Sequence, residues 1–261
     1  MQPSRLLQSA AAWRPWVGLA ALAAVIAALP ALANTHGVSG PRTDAEFGFA
    51  RMMYADASGS RFWRGAWLVD YPEAEDHFTQ GIARLTRVDI GEPVIVSLSD
   101  DALFDHPWLY AVEVGRWYLD DYEAGRLREY LLRGGFLMVD DFHGSYEWAV
   151  FIDSLRRVFP DRPVLDIPDG DPILHVLYDV DERIQIPGVG AWMGGRTYEQ
   201  DGVTPQWRGI YDDAGRLMVV INHNMDLGDA WEHADDPRYP QPMTTLAYRF
   251  AANYVLYSMT H

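Results

Sequence analysis

Apolar residues along this chain gather into short runs separated by turn residues, and the period of the runs switches between that of strands and that of helices. Phe47 to Met53 alternates well enough for a first strand. Tyr71-Pro72 opens a helix through about Leu85, with Pro72 in the first turn and Glu73, Glu75 and Asp76 favoured there by the helix dipole. Pro93 to Leu98 is an apolar, β-branched run that predicts a buried strand, and Trp108 to Val114 predicts another. Asp120 or Asp121 caps a helix whose apolar positions include Leu127, Tyr130 and Leu131, and Gly134-Gly135 ends it. Phe136 to Val139 predicts a buried strand that stops at Asp140-Asp141. A helix follows from about Tyr146 to Phe159, stopped by Pro160. Between about 161 and 215 the chain is rich in Pro and Gly, which predicts a long excursion of loops or hairpins with Leu174 to Tyr178 as a short packed element. Leu217 to Ile221 predicts a last core strand, and Thr244 to Met259 a C-terminal helix. This grammar belongs to an α/β domain with a mostly parallel sheet.

The start of the chain differs in character. Arg5 and Arg14 precede an alanine-rich apolar run from Val17 to Leu29, Pro30 breaks it, and Ala31-Leu32-Ala33 has the small residues of a cleavage site. The pattern predicts a Sec-type signal peptide over 1–33, a leader over 34–46, and a single domain over 47–261. Export to the periplasm follows. The alternative is an uncleaved anchor in the inner membrane, for which the apolar stretch is short.

Composition narrows the chemistry. The net charge is −16, a field that repels nucleic acid and anionic lipid, so neither nucleic acid nor, after cleavage, membrane is an expected partner. All 21 basic residues are arginine, which excludes Schiff-base chemistry and a phosphate-loop lysine. Absence of cysteine excludes thiol nucleophiles, zinc–thiolate sites and iron–sulfur clusters. No Gly-x-Ser-x-Gly or Gly-x-Gly-x-x-Gly motif is present, so neither a hydrolase elbow nor a nucleotide or flavin cofactor is indicated.

In an open parallel sheet ligands sit beyond the carboxyl ends of the strands, and two polar clusters fall there. One is Asp140, Asp141 and His143. The other runs from Asn222, His223 and Asn224 through Asp226, Asp229 and Glu232 to His233, seven polar side chains in twelve residues. If they share a crevice, Asp141, His143 and His223 are candidates for a divalent metal, or for a base with an orienting carboxylate. The plainer expectation is that Asp140 and Asp141 cap the following helix and that Asn222 and Asn224 form turns. Asp70, at another strand-to-helix junction, reads as a cap or a ligand contact. Glu113 reads as a buried acid or a solvent-facing strand end. His77 and His106 read as surface or turn residues. Trp63, Trp67, Trp117, Trp192 and Trp207 offer faces for sugar rings or for packing.

The blocks Trp67 to Phe78, Leu127 to Gly144, Asn222 to Glu232 and Phe250 to His261 resemble the bacterial domain-of-unknown-function 4159 family. That family has no established activity. It is in turn similar to the class I glutamine amidotransferase-like fold, which implies a flavodoxin-like three-layer sandwich. The resemblance does not bring amidotransferase activity, whose nucleophile is a cysteine; Asp140 to His143 stand where that elbow might fall. The expected function is a periplasmic ligand-binding or accessory domain with a polar crevice, its ligand a small molecule or an envelope fragment. A metal-assisted hydrolase, with Asp141 or His223 as base or ligand and Asp226 as the orienter, is the alternative, and a module that binds an envelope protein through the 161–215 excursion a third.

Overall fold

A computed structural model describes residues 45–57 and 65–261. The signal, most of the leader and Trp63 lie outside the described residues. Seven strands form one sheet: β1 (Ala50–Met53), β3 (Val94–Ser97), β4 (Trp108–Val112), β6 (Phe136–Asp140), β7 (Leu165–Asp166), β8 (Gln206–Tyr211) and β9 (Leu217–His223). Their order is β3-β1-β4-β6-β9-β8-β7. Strands β2 (Ala55–Asp56) and β5 (Trp117–Tyr118) pair apart from it. The first five strands across the sheet are all parallel, while β8 runs against them and β7 pairs antiparallel to β8. Counted along the chain, the parallel strands lie in the order 2-1-3-4-5 of a doubly wound sheet.

Helices α1 (Glu73–Leu85), α5 (Leu227–Glu232) and α6 (Gln241–Thr260) cover one face, through Phe78, Trp231 and Phe250 among others. Helices α2 (Asp121–Leu132) and α3 (Gly144–Val158) cover the other, through Leu127, Phe151 and Leu155. A short α4 (Val189–Met193) lies in the insertion. The result is a three-layer α/β/α sandwich with the sheet as its middle layer. Among the described residues no helix is long and apolar enough to cross a membrane.

Local signals act as expected in most places. Asp120 caps α2 in a reciprocal box with Glu123. Beyond its end, Gly134 takes φ of +110° and Arg216 donates to the carbonyls of Leu131, Gly134 and Gly135. One expectation is corrected. The 93–98 run is not a buried strand: β3 is an edge, and Ile95 is 41% exposed. Within the 161–215 stretch, β8 pairs antiparallel with β9 inside the sheet as one arm of a hairpin. Of the tryptophans, Trp117 stacks on Phe151 and Trp207 on Phe250, both buried in packing.

One buried charge ties the sheet to its first helix. Arg51 on β1 is fully buried, pairs with Glu75 of α1, and donates to the carbonyls of Trp67 and Val69. It thereby pins the segment that carries Asp70. Removing the carboxylate strands a buried guanidinium, so Glu75→Ala is expected to cost about 3–5 kcal/mol. Glu75→Gln, which keeps an acceptor, costs less. Urea denaturation measures both, and an alanine cost below about 1 kcal/mol would show that Arg51 is not structurally committed.

Candidate functional site

The two polar clusters meet. Strands β6 and β9 are parallel neighbours, and their end turns exchange backbone hydrogen bonds: Asp141 N donates to Met225 O (3.2 Å) and Asn224 N to Phe142 O (3.0 Å). Four residues beside strand ends or leading into α1 hold left-handed backbone conformations: Asp70 (φ 63°), Glu113 (53°), Asp141 (50°) and Asn224 (64°). Such φ values are uncommon outside glycine, most of all for glutamate.

Capping falls to other residues than the sequence suggested. Asp140, fully buried, does not cap α3; its Oδ2 accepts from Leu227 N (2.8 Å) and Gly228 N (3.0 Å) at the start of α5. Asp226 caps the same helix, its Oδ1 accepting from Asp229 N (2.7 Å). The first amides at α3 are served from elsewhere. His143 N donates to Glu147 Oε2, Gly144 N to Asn224 Oδ1, and Ser145 N to Asp201 Oδ1. Asn224 also donates to Thr204 O, so it ties β9, α3 and the insertion together. Asp70 has no cap bond to α1; its Oδ2 is buried without a partner.

The remaining candidates divide by face. Asn222 turns toward α6, where Tyr254 OH donates to its Oδ1. His223 turns the other way: Nδ1 lies 3.0 Å from Gln206 Oε1, Nε2 lies 3.2 Å from Gly144 O, and the ring packs on Phe142 and Trp148. It borders a cavity of about 390 Å³ lined also by Trp148, Asp201, Arg208 and Asn224. His143 is not part of that set: its Nε2 lies 3.1 Å from Asp141 Oδ1, and its Nδ1 is buried without a partner. His77 is held at the carbonyls of Trp231 and Glu232, and His106 is half-buried.

A second group gathers on the α5 side. Among the described residues, two sets of three can offer ligand atoms within 4.8 Å of one another: Asp70, Asp226 and Asp229, and Asp229, Glu232 and His233. Asp141, His143 and His223 are not such a set. Val189 N donates to Asp229 Oδ2 (2.6 Å), and His233 Nε2 lies 3.5 Å from Asp229 Oδ1. Sequence reading passed over Glu147, Glu199 and Asp201. Glu147 carried a signal as an acid in the first turn of a helix, whereas Glu199 and Asp201 sit in an aperiodic loop that carried none.

Burial sets the electrostatics. It raises the carboxyls of Asp140 and Asp226 well above the usual range, and the Asp141 charge adds to both. Asp70 rises for the same reasons, with Asp229 and Glu232 contributing. Glu199 and Glu232 also rise, through burial first. His143 is raised: burial, its largest influence, lowers it, and the bond and charge of Asp141 outweigh that. Desolvation pulls His223 down to about 4, so it is neutral at pH 7. Burial and the Asp141 charge push Glu113 up to about 8, against the opposing Arg116 at 3.2 Å.

Glu113 gives a pH test. Its folded pKa lies above its unfolded value near 4.5, so ionising it costs stability progressively from about pH 4.5 to pH 8. Glu113→Gln removes that cost. Its melting temperature relative to wild type is expected to climb across that window and level off above it. A flat difference from pH 4 to 9 would show that Glu113 titrates normally.

No curated protein matches the chain. The family described as Domain of unknown function (DUF4159) matches residues 48–259, nearly the whole of the described domain. The chain belongs to that family.

Proposed function

We propose that the protein is an exported, periplasmic ligand-binding or accessory domain that takes a small hydroxylated ligand at the carboxyl rim of its sheet. The fold in this reading is flavodoxin-like, of the class I glutamine amidotransferase-like kind, without that activity because cysteine is absent. The observation that carries the reading is the convergence of left-handed Asp70, Glu113, Asp141 and Asn224 on one strand-end rim. Such strain costs of order 1–3 kcal/mol per residue and clusters at functional sites. A rim rich in carboxylates accepts hydrogen bonds from ligand hydroxyls and repels phosphates and nucleic acid. Trp148 borders the His223 cavity, its ring packed by His223 and by the Arg208 guanidinium.

A metal-assisted hydrolase is the second reading, favoured by the Asp141–His143 pair, a base with its orienting carboxylate. Turnover of an ester or glycoside panel that is lost in His143→Gln would select it over binding alone. For the leading reading, soluble envelope saccharide fragments are expected to raise the melting temperature of the full chain. Asp141→Asn/His223→Gln abolishes that rise. No response to any fragment, or an equal response in the double variant, would overturn the reading.

A further inference from the structure

The Asp70, Asp226 and Asp229 carboxylates come from two places. Asp70 lies in the segment pinned by Arg51, while Asp226 and Asp229 are the cap and first turn of α5. One oxygen of each lies within 4.8 Å of the others, close enough to share one ion. Asp226 is 4% exposed, and its neighbours in the set are carboxylates, so its ionised form is disfavoured unless a cation offsets the crowding. Arg51 partly offsets the charge of Asp70, but its Nε and Nη1 are given to Glu75 and two carbonyls, and only its buried Nη2 is left without an acceptor.

Two features beyond the acidic cluster point to an occupant. First, Asp70 Oδ2 is buried with no partner. Second, two glycines let the carboxylates approach the backbone where any side chain would collide with them. A Cβ on Gly228 would come within 2.5 Å of Asp70 Oδ2, and one on Gly188 within 2.8 Å of Asp226 Oδ2 and 2.7 Å of Glu199 Oε1. The carboxylates are also oriented: Asp229 N holds Asp226 Oδ1 and Val189 N holds Asp229 Oδ2, while Asp229 Oδ1 lies 3.5 Å from His233 Nε2. Backbone donors that fix one carboxylate oxygen while a cation takes the other are the usual outer support of a metal centre.

We infer that Asp70, Asp226 and Asp229 form a binding site for one hard divalent cation, of the Ca²⁺, Mg²⁺ or Mn²⁺ class. Three oxygen donors and no nitrogen select hard ions over zinc or copper. Glu232 and Glu199 stand beside the triad, and water or ligand hydroxyls complete the shell. The inference deepens the proposed rim and rests on it only for the identity of the final ligand. A cation here would give a hydroxylated ligand a second means of attachment to a rim that otherwise offers mostly acceptors.

Calorimetry on chelator-treated full-length protein with CaCl₂, MgCl₂, MnCl₂ and ZnCl₂ tests it. One site per chain is expected for at least one hard ion, with a rise in melting temperature. Asp70→Asn and Asp226→Asn each weaken it at least tenfold. Both replacements are near-isosteric, an asparagine in place of Asp226 remains a competent helix cap, and circular dichroism confirms that they fold. Asp153→Asn, at an exposed carboxylate of α3 outside the set, leaves metal affinity unchanged. Absence of heat for every hard ion, or asparagine variants that bind as wild type, would overturn the inference. So would a zinc-only site lost in His233→Ala, which would move the centre to Asp229, Glu232 and His233. Saccharide response that survives chelator without metal binding would sink the cation and spare the rim. Metal binding without any saccharide response would do the reverse.

Discussion

The Arg51 guanidinium lies under the sheet end with no access to water, and the geometry of the α5 side of the rim follows from how its donors are used. A buried arginine destabilises a fold unless its hydrogen-bonding groups find acceptors. Here Nε and Nη1 reach Glu75 on α1 and the carbonyls of Trp67 and Val69, Nη2 has no acceptor, and the ring of Tyr110 on β4 lies 5.2 Å from the guanidinium carbon. The chain between β1 and α1 is thereby drawn down onto the strand ends. Asp70, the next residue, has its carboxylate set toward α5, where Asp140 and Asp226 already hold the helix by its first amides.

Much of this architecture was readable because parallel strands covered on both faces are apolar at nearly every position. Leu109 to Val112, Phe136 to Val139 and Leu217 to Ile221 have no polar residue to disguise them. The antiparallel β8 was not readable for the opposite reason. Gln206-Trp-Arg-Gly-Ile-Tyr211 alternates, contains Gly209 against Val219 and Leu217, and sends Arg208 to Asp166 on a strand of two residues. It sits amid prolines and glycines, so local signal and tertiary outcome diverge. The edge strand β3 misled through β-branched composition, which fits a sheet without saying how many neighbours the strand has.

The rim was legible in outline and not in detail. The rule that ligands gather past the strand ends found Asp140, Asp141, His143 and the Asn222–Glu232 segment, and the paired turns place them side by side. What no local pattern reveals is direction. Alternation along β9 sends Asn222 to Tyr254 and His223 to Trp148, so adjacent residues serve opposite faces. The capping assignment failed similarly: Asp140 does cap a helix, but α5 rather than α3, about 87 residues on in the chain. A cap read from sequence presumes the nearest helix, and in this fold the carboxyl end of β6 abuts a later one.

Because β8 runs against β9, the insertion re-enters the sheet at Gln206, beside His223 on the carboxyl rim. The preceding stretch, with Gly188, Glu199 and Asp201, therefore roofs the same end of the sheet. Floor and roof answer to different constraints. The floor is locked by strand register, in which a one-residue slip would invert every side chain. The roof is bound only at isolated points such as Gln185, Asp201 and Val189. Changes of length or sequence in the roof can reshape that end of the molecule while the layered body beneath it stays as it is, so the surface over the strand ends and the stability of the body can vary separately in this architecture.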